Sequence, residues 1–426
     1  MFGIRCSSSK TKFKIQTSKI EQRKPNIEQR KPNIEKMKAY NPLWSENDFI
    51  QKTAQKWLKQ GFLSKEQSLE IEKTYPHDYY DPNIFLKIGL FIFTILAASV
   101  SVSLMSVFLY WIYENHFNTS IAIQSLLVGF VFLMLLESLI KGRKLYHSGV
   151  DNALIYMALG SFCTTIYFLF EKLNPPTWLF LILFLPLFVA STIRYAESVV
   201  CTLTYFLVLG IFVIIALESF WGKTLLPFIV MLVSAGVYFL VKKLSARKDY
   251  LYYETCLTIL KTLSLATFYL GGNYLIVREG NALINNIYQS VSPQVAFAPM
   301  FYFFTAIIPL SYAAFGLRYR DRLIVILGLI TLGFSIFTYR FYFALLPIEI
   351  ALTLGGILLI ALAGGLIHYF KTTKHGFTYQ PDDEFEGFNL EAVLMSQLVQ
   401  SKIPQQGDTF RFGGGDTGGG GAGGNY

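Results

Sequence analysis

Residues Val199–Leu217 read VVCTLTYFLVLGIFVIIAL and contain no charged side chain. A helix of this length rises about 28 Å, close to the ~30 Å hydrocarbon core of a bilayer. Runs of the same kind recur from Phe85 to Phe370 with short polar connections between them. The whole chain is only 15% charged, whereas soluble domains are roughly 25% charged. The stretch therefore predicts a membrane-spanning helix, and its repetition predicts an all-α, polytopic transmembrane helix bundle in contact with a lipid bilayer.

The apolar runs predict about ten crossings. They are Ile84–Tyr113, Ile121–Ile140, Ala153–Phe170, Trp178–Ile193, Val199–Phe220, Leu225–Val241, Leu257–Val277, Val295–Leu317, Leu323–Tyr339 and Leu345–Phe370.

Loop charge predicts the orientation, because cytoplasmic loops carry an excess of Lys and Arg. With the N-terminus inside, the inner loops carry Lys141, Arg143, Lys144, Arg194, Lys242, Lys243, Arg247, Lys248, Arg318, Arg320 and Arg322. The outer loops carry only Lys172, Lys223, Arg278 and Arg340. We therefore expect both termini in the cytoplasm of a bacterial inner membrane. The same bias explains the net charge of +9, and with no recognition motif it gives no support for nucleic-acid binding.

Residues 1–40 read as a disordered basic leader. The heptapeptide IEQRKPN occurs twice in tandem, at Ile20–Asn26 and Ile27–Asn33. One apolar residue and one proline in every seven cannot form a coiled coil. A second hypothesis is that these residues are not made, because translation begins at Met37.

Residues 41–83 predict a small cytoplasmic helical hairpin. Apolar residues recur at helical spacing from Trp44 to Leu58, and Ser45 is the predicted N-cap. Gly61 is the predicted helix stop, since glycine readily takes a positive φ. Ser64 and Gln67 then form a predicted capping box that starts a second helix ending before Pro76. A DNA-binding role is disfavoured because the second helix is acidic.

The segment Trp57–Gln67, WLKQGFLSKEQ, followed by an acidic helix, Tyr75-Pro76 and a membrane hairpin, resembles the prokaryotic membrane-protein family defined by domain of unknown function 2157. The resemblance covers roughly Trp44 to Lys141. It implies an N-terminal helical module ahead of several membrane helices. It carries no activity, cofactor or catalytic residue.

Lys261 and Glu137 are the candidates for an intramembrane polar site. Ionisable groups inside crossings are costly and often functional. Both lie a few residues from the predicted cytoplasmic ends of their runs, so we hypothesise that they pair; the alternative for Lys261 is snorkelling to the interface. Arg340 and Glu349 are a candidate ion pair on the outer side. Glu218 and His368 also sit at helix ends, where interfacial anchoring is the simpler interpretation.

No enzyme motif is found, so no catalytic residue, metal site or cofactor is predicted. Cys163, Cys201 and Cys256 have no redox or metal spacing and are read as packing residues. Arg278–Gln294 is read as a polar outer loop. The cytoplasmic tail, residues 371–426, carries one short amphipathic helix at Leu390–Leu398 and ends in a disordered glycine-rich stretch.

Two functions are compatible with these patterns. The first is a transporter or permease-like protein for a small solute, which predicts a polar cavity in the membrane lined by several helices. The second is a membrane scaffold or sensor that docks protein partners through the hairpin or the Leu390–Leu398 helix, which predicts a tightly packed bundle without a cavity. An intramembrane enzyme ranks last.

Overall fold

A computed structural model describes residues 37–76, 78–80, 82–247, 250–289, 292–343 and 347, with scattered helical positions from 349 to 368; the side chains of residues 108–116 are not described. The chain divides into two compact units, Met1–Leu354 and Gly355–Tyr426. The second unit is described at a few helical positions only. Residues 1–36 of the predicted leader and the Leu390–Leu398 helix lie outside the described residues. The prediction of disorder up to residue 40 is wrong at its end, because Ala39 and Tyr40 are hydrogen-bonded to the bundle and Tyr40 is buried. All features below belong to the first unit.

The N-terminal module consists of α1 (Pro42–Lys59) and α2 (Lys65–Thr74). The capping box of α2 is confirmed: Ser64 and Gln67 each bind the backbone N–H of the other. Gly61 has φ +73, as predicted. The predicted N-cap Ser45 is wrong. The cap is Asn41, whose side chain accepts from the N–H of Leu43, and the helix starts at Pro42, where the missing N–H of proline costs nothing.

The first two crossings belong to one helical segment, α3 (Ile84–Arg143), whose two halves lie side by side. Gln124 Nε2 donates to Ser106 Oγ at 2.6 Å. In a straight helix these residues would be about 27 Å apart, so the chain must reverse between them. We call Ile84–Val107 the first arm and Phe117–Arg143 the second arm. These arms match the first two predicted crossings.

In the described part of the chain, seven longer α-helices and one short α-helix follow up to Tyr342. Those that alternate across the bundle are α4 (Val150–Phe170), α5 (Thr177–Tyr195), α6 (Ser198–Glu218), α7 (Gly222–Ser245), α8 (Glu254–Gly272), α10 (Ala298–Tyr319) and α11 (Arg322–Tyr342), with the short α9 (Tyr274–Ile284) between α8 and α10. Within the described part of the chain, eight helical segments, counting the two arms of α3, are long and apolar enough to cross a membrane. They correspond to eight of the ten predicted crossings, and the multi-pass, all-helical class is thereby supported. The tenth predicted run falls largely outside the described residues.

The seventh predicted crossing, Leu257–Val277, is not one helix. It breaks at Asn273, which is fully buried. The Asn273 side chain accepts from the N–H groups of Leu275 and Ile276 and so starts α9 as its N-cap. α9 also occupies the start of the predicted outer loop, where Arg278 is buried rather than solvated. α8 is not among the eight apolar segments, yet it packs against α6, α7, α10 and α11.

The N-terminal module and three inter-helix connections meet at one end of the bundle, which we call the hairpin end. Tyr40 contacts Asp151 at the start of α4, Ala39 N donates to Arg194 O at the end of α5, and Lys38 lies over the ring of Tyr252 before α8. Because alternate connections share this end, the crossings alternate in direction as the loop charges predicted.

Candidate functional site

A cavity of about 930 Å³ lies between the two arms of α3 and helix α4. We call it the α3–α4 cavity. Its described lining contains no charged side chain. The polar groups are Ser99, Ser103 and Ser106 on the first arm, Gln124 and Ser125 on the second, and Tyr156, Ser161 and Thr164 on α4. The site is therefore an open, uncharged cavity whose lining combines these hydroxyl and amide groups with apolar side chains.

Most of the cavity hydroxyls present a hydrogen-bond acceptor. Ser103, Ser161 and Thr164 each donate to the carbonyl oxygen four residues earlier on the same helix, at 2.8–2.9 Å. A hydroxyl whose proton is used in this way keeps lone pairs for another donor. The walls therefore suit a ligand that donates hydrogen bonds, such as an alcohol or an amine.

The side chain of Gln124 braces the cavity. Its Nε2 donates to Ser106 Oγ at 2.6 Å and lies 3.4 Å from Val102 O, so it joins the two arms of α3. On the other side, Ser125 Oγ and Thr165 Oγ1 lie 2.9 Å apart and join the second arm to α4. Polar contacts of this kind hold helices together where lipid offers no hydrogen-bond partner. They fix the cavity's shape as well as its chemistry.

Tyr156 forms the floor of the cavity towards the hairpin end, and a buried carboxylate lies behind it. The Tyr156 hydroxyl donates to Oε1 of Glu197 at 2.7 Å. Glu197, which is 1% exposed, also receives Asn152 Nδ2 at 3.2 Å and Ser198 Oγ at 3.4 Å on the same oxygen. Its other oxygen accepts from the N–H of Val200 at 2.7 Å and caps α6. Glu197 was not predicted from the sequence; its one signal is an acidic residue in the five-residue connection, 194–198, between two predicted crossings.

A second buried carboxylate, Asp151, anchors the N-terminal segment. Asp151 is fully buried and accepts from the hydroxyl of Tyr40 at 2.6 Å and from the backbone N–H groups of His147 and Ser148, each at 2.8 Å. Burial and the adjacent carboxylate raise the pKa of Tyr40 well above its usual value. Burial lowers the pKa of His147 below its usual 6.5. Both side chains are therefore neutral at pH 7.

Aromatic rings close the hairpin end around this carboxylate. The ring of Tyr40 packs edge-on against Tyr146, 5.2 Å between centroids, and Trp44 packs against Tyr146 and Tyr79. We call Tyr40, Trp44, Tyr79, Tyr146, His147 and Tyr195 the aromatic plug. The plug lies beyond Tyr156 and Glu197, so the cavity floor is backed by a packed layer.

The predicted pairing of Lys261 with Glu137 is wrong in this structure. Glu137 Oε1 accepts from Arg194 Nε at 2.7 Å and from the Tyr195 hydroxyl at 2.8 Å. Lys261 pairs instead with Asp321, the N-cap of α11. The physical reason is that each ion pairs with an opposite charge at the end of a neighbouring helix. Tertiary packing decides which helix ends are neighbours, so the sequence could not predict these pairs. The cavity lining contains neither residue.

The remaining sequence candidates are not among the residues that line the cavity, and His368 belongs to the second unit. Arg340 is in the last turn of α11, and Glu349 and His368 are at exposed helical positions, so the Arg340–Glu349 pairing stays a prediction. Glu218 ends α6. Among the described residues, no group of three or more His, Cys, Asp or Glu side chains is arranged to hold a metal ion.

A further polar cluster lies at the break between α8 and α9. Arg278 donates to the carbonyl of Ser292 and to the Tyr274 hydroxyl, and its guanidinium lies over the ring of Tyr342. Glu279 accepts from the hydroxyls of Tyr342 and Ser292. These contacts hold the connection after α9 against the bundle. All three nitrogens of the Arg278 guanidinium donate hydrogen bonds within the cluster.

Comparison with known proteins does not assign the chain to a family. No family model, curated protein or solved structure matches the chain.

Proposed function

We propose that this integral membrane protein is a transporter whose solute occupies the α3–α4 cavity. The observation that carries the proposal is an open cavity of about 930 Å³ in which three membrane segments place hydroxyl and amide groups among apolar side chains. Polar side chains facing hydrocarbon are costly, so their concentration around one space favours a role for that space. The wall chemistry favours a small, uncharged solute with hydrogen-bond donors. The aromatic plug and Tyr156 close the hairpin end, so this conformation would be closed on that side.

The scaffold hypothesis predicts a bundle without a cavity, and the cavity counts against it as the main function. One observation still favours a docking role for the hairpin. α2 has no buried residue, and Phe62 and Leu69 are 66% and 54% exposed. A protein partner that binds there should be lost from the purified complex when both are changed to Ser. If that variant retains every partner of the natural chain, the docking role is excluded.

We also propose that the chain belongs to the family defined by domain of unknown function 2157 and that the hairpin end faces the cytoplasm. The capping box at Ser64 and the positive φ of Gly61 support the first proposal, because both belong to the segment that carries the resemblance. The loop charges support the second. A phosphatase fused after Asn285 should be active, and one fused after Arg247 inactive. The opposite pattern would reverse the orientation.

Water access to the cavity can be measured with cysteine variants. In a background without the four native cysteines, Ser103→Cys should react with a membrane-impermeant methanethiosulfonate. Ser101→Cys is the matched control, because it lies on the same arm, is exposed, and does not line the cavity. Equal and negligible reaction at both positions would mean that the cavity is dry.

Transport itself can be tested by filling the cavity. A side chain at Gly160, which lines the cavity, meets no atom within 4 Å at its Cβ, so Gly160→Leu occupies the space without a clash there. Gly89→Leu adds the same side chain on the first arm, also without a Cβ contact. Proteoliposomes would be assayed for uptake of a panel of radiolabelled polyols. We expect uptake by the natural chain and by Gly89→Leu, and its loss in Gly160→Leu. Equal uptake by the two variants would refute transport through this cavity.

A further inference from the structure

We propose that Glu197 is a proton-binding site that exchanges protons with water in the α3–α4 cavity through the hydroxyl of Tyr156. The proposal concerns the same cavity as the proposed transport and would couple proton uptake to it. It needs only that water reaches Tyr156, so it can be tested without a solute.

The two oxygens of Glu197 are held in different ways. Oε2 accepts from the backbone N–H of Val200, a fixed donor at 2.7 Å. Oε1 is held by three side-chain groups that can all reorient, namely the Tyr156 hydroxyl, the Asn152 amide and the Ser198 hydroxyl. A hydroxyl can turn from donor to acceptor, and an amide can rotate to present its oxygen. Oε1 can therefore take up a proton without leaving its neighbours unsatisfied.

Asn152 provides the second observation. Its Nδ2 donates to Glu197, while its Oδ1 is buried and has no hydrogen-bond partner; among the described residues it is the one buried side-chain polar atom in that condition. A buried unsatisfied acceptor is costly. Rotation of the amide would present Oδ1 to Oε1, where it can accept a hydrogen bond only if Glu197 carries a proton. The unsatisfied oxygen thus fits a site that alternates between charged and neutral forms.

Two other buried or half-buried carboxylates near the hairpin end are held differently. Each oxygen of Asp151 accepts from one backbone N–H, whereas Oε1 of Glu197 is held by side-chain groups alone. Glu137 is paired with Arg194, whose guanidinium favours the charged form. The geometry therefore singles out Glu197 among the three.

The proton route is short and balanced. A hydronium ion in the cavity gives a proton to the phenolic oxygen of Tyr156 while the phenolic proton moves to Glu197 Oε1. The hydronium becomes water, the carboxylate becomes a carboxylic acid, and Tyr156 ends neutral. Reversal releases the proton to the cavity. The hydroxyl lies 2.7 Å from Oε1, and Tyr156 lines the cavity, so one side chain bridges both partners.

The groups that face Glu197 come from each element packed on it. From α4 these are Asn152, Tyr156 and the neighbouring Asp151; from the connection before α4 it is His147. From α8 it is Cys256, whose Sγ lies 3.6 Å from the Glu197 carbonyl oxygen. Besides Tyr156, the acids among these groups are Asp151 and Cys256. Asp151 lies on the side of the plug, so the cavity proton meets Tyr156 and Glu197 first.

Infrared difference spectroscopy on the full chain in liposomes tests the proposal. Acidification from about pH 8 to about pH 4 should produce the carbonyl band of a protonated, buried carboxylic acid. Glu197→Gln keeps the α6 cap and should abolish that band, while Glu137→Gln should leave it. A band that survives Glu197→Gln assigns the proton elsewhere and overturns the proposal. The absence of any such band in the natural chain also overturns it.

Two milder variants keep the test decisive if Glu197→Gln fails to fold. Asn152→Ala removes the donor that Nδ2 supplies to the charged carboxylate, a stronger contact than the one it could make to the neutral acid, so the band should appear at higher pH than in the natural chain. Tyr156→Phe should keep the band but slow its appearance after a pH jump. An unchanged midpoint together with an unchanged rate contradicts the proposal. None of these readouts requires a transported solute, so a negative uptake assay leaves them intact.

Discussion

Arg194 donates through Nε to Oε1 of Glu137 at 2.7 Å, and this contact joins the end of α5 to the second arm of α3. The Tyr195 hydroxyl donates to the same oxygen. Glu137, Arg194 and Tyr195 thus form a hydrogen-bonded cluster next to the aromatic plug. Lys261, its predicted partner, belongs to a separate pair with Asp321 on α8 and α11.

The two pairs should be energetically independent. Side chains in contact couple, and distant ones add. We expect a double-mutant cycle of Lys261→Ala with Asp321→Ala to give a coupling of about 1 kcal/mol in the free energy of unfolding. The cycle of Lys261→Ala with Glu137→Ala should be additive within about 0.5 kcal/mol. Thermal unfolding in detergent measures both. A larger coupling in the second cycle would restore the pairing expected from the sequence.

Tyr40→Phe should destabilise the docking of the N-terminal segment. It removes one donor from Asp151 and leaves a buried carboxylate less satisfied, which costs about 1–3 kcal/mol. Tyr80→Phe is the control, because Tyr80 is exposed and pairs through its backbone. The reaction of buried Cys201 and Cys256 with a thiol dye during heating reports the unfolding temperature. Equal temperatures for the two variants would mean that the Tyr40 hydroxyl contributes nothing.

His147 should make the protein less stable in mild acid. Its pKa is lowered by burial in the folded state, so the unfolded chain binds more protons below its usual value of 6.5. The free energy of unfolding should therefore fall as the pH drops from 6.5 towards the folded-state pKa. His147→Asn should reduce this dependence, since Asn does not titrate and tolerates the positive φ at this position. Parallel profiles for both proteins between about pH 8 and pH 5 would contradict the assignment.

Asn273→Ala should cost more than an ordinary surface change. It removes the N-cap of α9 and the hydrogen bonds from Nδ2 to Tyr269 and Thr338, all in a fully buried place. We expect a loss of about 2–3 kcal/mol. Asn285→Ala, at the exposed end of α9, should cost less than about 1 kcal/mol. Proteolysis of the connection after α9 should also become faster in Asn273→Ala alone.

The length and apolarity of the runs were enough to predict most of the crossings, because hydrocarbon demands a helix of nearly fixed length. The capping box of Ser64 and Gln67 could also be predicted, because each side chain binds a backbone N–H only three residues away in the sequence. The sequence predicted a hairpin from the first two runs but could not show that the connection between them is helical as well. It also missed the break at Asn273, because a single polar residue inside an apolar run reads as a crossing until its capping contacts are seen.

The candidate site depended on packing much more than the fold did. Serines spread over α3 and α4 are unremarkable in sequence, and Glu197 reads as a loop residue. Tertiary structure places these serines around one cavity and puts the Tyr156 hydroxyl between that cavity and Glu197. The sequence by itself determined an all-helical membrane protein, because hydrophobic length is a local property. Only the tertiary structure decided which polar groups meet, because a hydrogen bond between helices depends on rotations and tilts that no single helix encodes.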